Sequence, residues 1–466
     1  MSRLLRESPQ TAAPFRIGCG AGYSGDRIGP ARDLAERGQL QALVFECLAE
    51  RTIALAQARR AADPQQGYDP LLRERLGAVL PACVREGTRI ISNMGAANPP
   101  AAGQAVLELA RELGLKRLRV AVVSGDEVLE LVRARPELPL LDSPRCVGDV
   151  LEQLVSANAY LGADALLPAL QGDADVVISG RVADPALFLA PLMHHFGWRA
   201  EDAPMLGRGI LVGHLLECAA QVSGGYLADP GFVDVPDLAN LGFPLAEVSA
   251  DGSAVIGLLP GAGGRVDRLS CTAQLLYEIE DPSHYLQPDV TADFSNVQIE
   301  ELGHNRVRVQ GASGTARPLA LKVSLGLREG FVGEGQISYG GPGALSRGQL
   351  ALQVLQSRLQ PLAPRLRELR AELIGVNALH GPARGSGAGH GRPGDGAEPA
   401  EVRVRLAVRA ASRADAERAA QEVEALYLNG PAAGGGVALS VREVLAVESV
   451  LIPRDGVRPR CDFLEL

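Results

Sequence analysis

The sequence lacks the features that mark several classes of protein. Only Lys116 and Lys322 are lysines, and neither stands in a G-K-[ST] loop, which excludes a Walker A nucleotide site. The net charge of -9 and the scattered arginines leave no basic face, so we expect no nucleic-acid partner. No apolar run approaches the ~18 residues that cross a bilayer, so we expect no membrane partner.

Paired cysteines are also missing. The seven cysteines are far apart and form no C-x-x-C motif, which favours reduced thiols over disulfides or a zinc site. The stretch "MSRLLRESPQTAAP" at the start has no apolar core of the kind found in secretory leaders. We therefore expect a cytoplasmic protein that needs no structural metal.

Residues 1–234 alternate short β-branched runs with helical patterns, which predicts an α/β domain whose parallel sheet carries helices on both faces. The predicted strands are Phe15–Cys19, Ala42–Glu46, Arg89–Ser92, Arg119–Ser124 and Asp175–Ser179. The predicted helices are Pro30–Arg37, Arg51–Ala62, Pro70–Arg85, Ala101–Leu113, Gly148–Leu161 and Pro185–Phe196.

Residues 235–466 change to twofold patterns and predict a second, α+β domain. Its part from about 318 to 452 has the order β-α-β-β-α-β of a ferredoxin-like unit. A segment rich in glycine and proline, 381–399, interrupts that unit, and its composition predicts a flexible insert.

Polar and glycine-rich segments follow all five predicted strands of the first domain, such as "GAGYSGD", "NMGAANP" and "GRVADP". In open α/β sheets, ligands bind at the carboxyl ends of the strands. The sequence therefore predicts a functional cleft there.

The first of these segments contains a G-x-G-x-x-G pattern at Gly20, Gly22 and Gly25, which is typical of NAD(P)-dependent oxidoreductases. Asp26 follows at once, and its negative charge disfavours a pyrophosphate. Pro30 indicates that the next helix begins too late to hold one. The oxidoreductase stays open as an alternative.

A substrate loop is our preferred interpretation of the same segment, with contacts from Gly22, Ser24 and Asp26.

Two carboxyl groups near the second strand end are candidates for proton transfer. Glu46 and Glu50 can both face the cleft, where burial would raise the pKa of at least one of them. The alternative is a structural pair between a helix-start carboxylate and Arg51.

Two asparagines near the third strand end are candidates for binding a substrate carbonyl, namely Asn93 and Asn98. For Asn98, helix capping is the alternative. Near the fifth strand end, Arg181 could clamp a carboxylate beside Asp184, or the two could form an internal pair with Asp184 as a helix cap.

A further acid–base pair is His214 and Glu217, which are three residues apart and share one face if this stretch is helical. No third ligand stands at a recognisable spacing, so we predict no metal.

Several long segments together resemble a known family. They include "GAGYSGDRIGPARDLAERGQLQALVFECLAERTIALAQ", "ISNMGAANPPAA", "GHLLECAAQVSGGY", "QLLYEIEDPSHYLQPDV" and "LIPRDGV". From about Phe15 to Val457 the chain is similar to acyclic terpene utilisation (AtuA-like) proteins, formerly a domain of unknown function. The resemblance implies a catabolic role beside enzymes that degrade branched acyclic terpenoids as coenzyme A thioesters, but it implies no specific reaction.

From these observations we expect a lyase- or hydratase-like enzyme acting on a small branched carboxylic acid or its acyl-CoA thioester. Coenzyme A would then be part of the substrate, and we predict no other cofactor. We expect a homo-oligomer, which could also assemble with other catabolic enzymes. A non-catalytic partner subunit of an acyl-CoA carboxylase or hydratase is the further alternative.

Overall fold

The computed structural model describes residues 13–379, 381 and 399–466. The chain forms two compact units, one from Met1–Gly326 with Val447–Leu466 and the other from Leu327–Ala446. The boundary predicted at residue 234 therefore falls inside the first unit. The predicted insert at 381–399 lies outside the described residues, except for its first and last residue.

The strands, numbered in chain order, are β1 (Phe15–Ala21), β2 (Ala42–Phe45), β3 (Arg89–Ser92), β4 (Arg119–Ser124), β5 (Leu154–Ala159), β6 (Val176–Ser179), β7 (Leu245–Val248), β8 (Ala254–Gly257), β9 (Tyr285–Leu286), β10 (Thr291–Asp293), β11 (Gln298–Gly303), β12 (Arg306–Gln310), β13 (Ser313–Thr315), β14 (Ala320–Gly340), β15 (Leu366–Ile374), β16 (Glu401–Ala410), β17 (Gly434–Pro453) and β18 (Arg460–Glu465). The α-helices are α1 (Gly29–Arg37), α2 (Glu50–Ala62), α3 (Leu72–Glu86), α4 (Pro99–Glu112), α5 (Leu129–Arg133), α6 (Leu167–Gln171), α7 (Ala186–Phe196), α8 (Ala203–Glu217), α9 (Arg268–Leu275), α10 (Ala344–Leu359), α11 (Arg413–Glu424) and α12 (Leu426–Asn429).

A large mixed sheet organises the first unit, so its fold is α/β as predicted. Within the described residues the strand order is β11-β12-β8-β7-β1-β2-β3-β6-β4-β18. The neighbouring strands β1, β2, β3, β6 and β4 pair in parallel. Strands β7, β8, β11, β12 and β18 pair antiparallel. The sheet is therefore parallel only at its centre, and the placement of helices on both faces stays a prediction.

The central strands form where the sequence has uninterrupted apolar runs. All four residues of β2 and of β6 are buried, as expected for parallel strands that are covered on both faces. In β12, by contrast, Val307 and Val309 are buried and alternate with arginines that are not. This alternation is typical of an antiparallel strand with one face toward solvent.

One predicted element is wrong. The helix expected over Gly148–Leu161 is replaced by a short 3₁₀ turn and strand β5. Strand β5 pairs with β14, and its polar residue Asn158 is buried and donates to Asp126 (2.8 Å). Pairing with a strand that is distant in sequence overrides the local pattern here.

The second unit contains a sheet in the order β15-β16-β14-β17. Strand β16 pairs antiparallel with both β14 and β15. Its apolar residues mostly alternate with arginines, so they point to one face of the strand. On that face Val402, Val404, Leu406 and Val408 join a core with Leu355 of α10. The element order is strand, helix, strand, strand, helices, strand.

Helix α8 packs very closely against β13 at Gly207. Gly77, in the interior of α3, serves as the control. A Cβ atom on Gly207 would lie 1.9 Å from the Ser313 carbonyl oxygen, whereas one on Gly77 in α3 would find its nearest neighbour at 3.8 Å. We predict that Gly207→Ala lowers the free energy of unfolding by about 1–3 kcal/mol because of overpacking. Gly77→Ala should raise it by about 0.5–1 kcal/mol through helix propensity.

Denaturant unfolding of the two variants measures both changes. Equal effects of the two alanines would contradict this account of how α8 is positioned.

Candidate functional site

A cavity of about 940 Å³ lies at the carboxyl ends of β1, β2 and β6. Side chains that directly follow these strands line it, together with residues from the end of α8 and from later loops of the first unit. We call it the acidic cavity because six carboxyl side chains line it: Asp26, Glu46, Glu50, Asp184, Glu217 and Glu278. The predicted cleft at the strand ends therefore contains many of the predicted site residues.

Glu46 is a buried carboxyl group held by the backbone and by one side chain. Its Oε1 accepts hydrogen bonds from the Leu48 amide (2.7 Å) and from Asn93 Nδ2 (2.9 Å). Burial and then the negative charge of Asp184 raise the pKa of Glu46 from 4.5 to about 8, against the opposing effect of Arg181. Glu46 is therefore protonated at neutral pH.

Asn93 acts on Glu46 rather than on the cavity. It is fully buried. Its Nδ2 donates to Glu46, and its Oδ1 accepts from the Cys47 amide (2.7 Å). The side chain predicted to hold a substrate carbonyl is thus engaged at both ends, and it fixes the orientation of Glu46.

Asn98 is a helix cap, as the alternative interpretation had it. Its Oδ1 accepts from the Ala101 amide at the start of α4, and its Nδ2 donates to the carbonyls of Pro64 and Gln66 (both 2.8 Å). The capping bond is local, whereas the bonds to Pro64 and Gln66 join Asn98 to a segment 34 and 32 residues away, and all three are structural.

Arg181 is fully buried and is engaged by the protein itself. Its guanidinium donates to the carbonyls of Leu48 and Val182, pairs with Asp184, and lies 4.3 Å from the centre of the Tyr160 ring. The internal pair with Asp184 is therefore present. Because these contacts occupy the guanidinium, Arg181 is poorly placed to clamp a substrate carboxylate.

Glu50 is in an environment opposite to that of Glu46. It accepts a hydrogen bond from the Tyr160 hydroxyl and pairs with Lys322 (3.2 Å). Although burial acts to raise its pKa, the bond from Tyr160 and the charges of Arg181 and Lys322 lower the pKa of Glu50 to about 2. Glu50 is therefore a fixed negative charge in the acidic cavity.

His214 and Glu217 contact each other near the end of α8. His214 Nδ1 lies 3.0 Å from Glu217 Oε1, and Nε2 lies 3.3 Å from the Leu275 carbonyl oxygen. Burial lowers the pKa of His214 to about 4. Burial and then the charge of Asp184 raise the pKa of Glu217.

Asp26 accepts hydrogen bonds from backbone amides of the glycine-rich loop after β1, in which it lies. Asp26 accepts from the amides of Gly22 (2.9 Å) and Arg27 (2.8 Å), and burial raises its pKa. The Ser24 carbonyl accepts from the buried Arg75 (2.8 Å). Helix α1 begins only at Gly29, so Gly20 lies in β1 and both Gly22 and Gly25 lie in the loop before the helix.

Glycine is required at Gly22 by packing. A Cβ atom there would lie 2.5 Å from the Cys218 carbonyl carbon. The loop therefore makes room for protein backbone at this position, and both Gly22 and Asp26 line the acidic cavity.

The cavity residues that the sequence reasoning missed include Tyr160, Lys322 and Glu278. Lys322 carried a signal, since the chain has only two lysines. Tyr160 follows β5, the strand mistaken for a helix, and Glu278 lies in a loop after α9.

The described residues contain no group of three or more His, Cys, Asp or Glu side chains suited to a metal ion. All seven cysteines are free. Across the part of the chain that the structure describes, no helix is long and apolar enough to cross a membrane.

Comparison with known proteins gives one family. The model described as acyclic terpene utilisation family protein AtuA matches residues 15–463, which is nearly the whole chain. None of the curated proteins compared matches this chain. The family match includes the acidic cavity and every predicted site residue.

The raised pKa of Glu46 predicts a pH dependence of stability. A carboxyl with a folded pKa of about 8 and an ordinary value of 4.5 contributes stability that is full below about pH 4.5 and is lost as the pH rises to about 8. Because Glu46→Gln does not titrate, the wild-type free energy of unfolding should fall relative to that of the variant over this range. We expect a relative loss on the order of a few kcal/mol.

Urea unfolding at several pH values measures the difference, with Glu36→Gln on the exposed side of α1 as control. A difference between wild type and Glu46→Gln that does not change with pH would contradict the raised pKa.

Proposed function

This chain belongs to the acyclic terpene utilisation family, and from its acidic cavity we propose that it is a lyase- or hydratase-like enzyme that moves protons on a branched acyclic substrate. The family supports a catabolic role in acyclic terpene utilisation. The acid–base chemistry is our inference from the cavity.

The observation that carries this proposal is the contrast between Glu46 and Glu50. One carboxyl has a pKa near 8 and the other near 2, although both line the same cavity. Environments that separate the pKa values of two neighbouring carboxyl groups are typical of acid–base enzymes. A pKa near 8 lets Glu46 donate or accept a proton at neutral pH.

Glu46 is ready to do this chemistry. Both of its hydrogen bonds fall on Oε1, so among the described residues its Oε2 has no protein partner and is left for a ligand. Asn93 acts as a positioning residue because it holds Oε1 and is itself held by the Cys47 amide.

We propose elimination of water from a β-hydroxy acyl compound, or the reverse addition. Protonated Glu46 gives its proton to the hydroxyl group as the C–O bond breaks, and water leaves. Asp184 takes the proton from the neighbouring carbon, its charge being balanced by Arg181. The electrons of that C–H bond form the double bond, so no oxidant or reductant is needed.

A thioester suits this cavity better than a free acid. The predicted carboxylate clamp, Arg181, is occupied by Asp184 and by backbone carbonyls. Lys322 is paired with Glu50. An acyl-CoA thioester presents an uncharged carbonyl to the cavity, with coenzyme A as part of the substrate.

The oxidoreductase alternative is disfavoured by the loop after β1. The Gly22 amide, which a pyrophosphate would need, already donates to Asp26. For the alternative of a non-catalytic partner subunit, we infer from the strand order a ferredoxin-like arrangement in the second unit. That arrangement could serve assembly with copies of this chain or with other catabolic enzymes.

Mutation of Glu46 tests the proposed chemistry. We expect Glu46→Gln to lower kcat/KM for water elimination from a β-hydroxy, β-methyl acyl-CoA by 10²–10⁴-fold, the usual contribution of a general acid. Glu36→Gln makes the same change on the exposed face of α1 and should leave the rate unchanged. Formation of the conjugated double bond is followed by absorbance, and equal rates for wild type and Glu46→Gln would rule out this role.

The pH profile gives an independent prediction. Since Glu46 acts in its protonated form during elimination, kcat/KM should fall as the pH rises above about 8. The descending limb should be absent from the residual activity of Glu46→Gln. If the wild-type kcat/KM falls only at a pH well above about 8, the general acid is a group other than Glu46.

A further inference from the structure

Glu217 and His214 form a pair whose proton positions follow from their neighbours. A carbonyl oxygen only accepts hydrogen bonds, so His214 Nε2, 3.3 Å from the Leu275 carbonyl, carries the hydrogen. The ring is deeply buried, which favours its neutral form. A neutral ring with hydrogen on Nε2 has a bare Nδ1, which can only accept.

The carboxyl group must then be the donor in this pair. Glu217 Oε1 lies 3.0 Å from Nδ1, so a bare Nδ1 requires the hydrogen to be on Oε1. Burial and the charge of Asp184 act in the same direction, since both raise the pKa of Glu217. Glu217 is therefore a neutral carboxylic acid whose other oxygen, Oε2, is a carbonyl-type acceptor.

That second oxygen has no partner in the protein. Glu217 Oε2 is buried and makes no hydrogen bond within the described residues. The residue is only 9% exposed, yet it lines the acidic cavity. A buried acceptor without a donor destabilises the protein, typically by 1–3 kcal/mol. A ligand that brings a donor into the cavity removes that penalty.

The charges of the cavity restrict what the ligand can be. Within the described residues, Glu50 pairs with Lys322 and Asp184 pairs with Arg181, so both cations are already engaged. A ligand carboxylate has no donor to offer Glu217 and would add a negative charge among these groups. A hydroxyl group brings a donor without a charge.

The rim of the cavity is apolar and accessible. Tyr226 is fully exposed, and Tyr23, Leu286, Leu141 and Leu451 are exposed by roughly half. All of them line the cavity, so an apolar chain can lie against them while its polar group reaches Glu217. Such exposed apolar surface commonly marks a binding site.

We infer that Glu217 Oε2 is the binding site for the hydroxyl group of an uncharged, branched β-hydroxyacyl chain, and that His214 is the positioning residue that turns this oxygen toward the cavity. The inference rests on the proposed function and deepens it by assigning the residue that binds the hydroxyl group of the substrate. The hydroxyl donates to Glu217 and keeps its lone pairs for the proton from Glu46.

Two substitutions distinguish this role from a merely structural one. Glu217→Gln can keep both bonds, because the amide N–H donates to His214 Nδ1 and the amide oxygen accepts from the ligand. Glu217→Met has a similar length but no acceptor. The hydroxyl preference should therefore survive in the first variant and disappear in the second.

Isothermal calorimetry provides the test with three ligands. They are the coenzyme A thioester of a β-hydroxy, β-methyl fatty acid, the same thioester without the hydroxyl group, and the free β-hydroxy acid. We expect wild type and Glu217→Gln to bind the hydroxy thioester on the order of tenfold more tightly than the thioester without hydroxyl. In Glu217→Met the ratio should be near one, and the free acid should bind wild type most weakly.

The inference is overturned if the wild-type ratio is near one, if Glu217→Gln loses the preference, or if the free acid binds most tightly. If Glu217→Met does not fold, the wild-type ratio and the Glu217→Gln ratio still decide. Binding in the Glu46→Gln background gives the same ratios without elimination. Failure of the proposed reaction, seen as unchanged turnover in that variant, is thereby separated from failure of the hydroxyl site.

Discussion

The buried guanidinium of Arg181 is the interaction on which the acidic cavity depends. It follows β6, yet it donates to the Leu48 carbonyl after β2 and to Asp184 before α7. The Tyr160 ring, which follows β5, lies against it. One side chain thus joins three segments around the cavity.

The same cation sets the charges of the carboxyl groups around it. It opposes the rise in the pKa of Glu46 and helps to lower that of Glu50, while its partner Asp184 raises the pKa values of Glu46 and Glu217. Proton donors and fixed negative charges therefore coexist in one cavity. This mixture suits a reaction in which a proton is given at one atom and taken at another.

Part of this site could be predicted from the sequence because neighbours along the chain determine it. The strands Arg89–Ser92 and Arg119–Ser124 have the predicted bounds. The start of α1 beside Pro30 follows from the backbone chemistry of proline. Glu46 and Asp184 line the cavity because they follow strands that were recognisable as apolar runs.

Other features depend on contacts between segments that are distant in sequence. Asn93 and Arg181 were expected to face the substrate, but Glu46 and the Leu48 carbonyl engage them. Strand β5 was mistaken for a helix because its pairing with β14 is not encoded locally. Two hydrogen bonds likewise form only once the chain has folded, one between Tyr160 and Glu50 and one between Glu217 and His214.

The most direct test of this account is the protonation state of Glu46 itself. Infrared difference spectra of wild type minus Glu46→Gln, taken across a pH titration, isolate the carboxyl signal of this one residue. We predict a protonated carboxyl at pH 7 that ionises near pH 8. Ionisation near the ordinary value of 4.5 would contradict the account, because Glu46 would then have no proton to give at neutral pH.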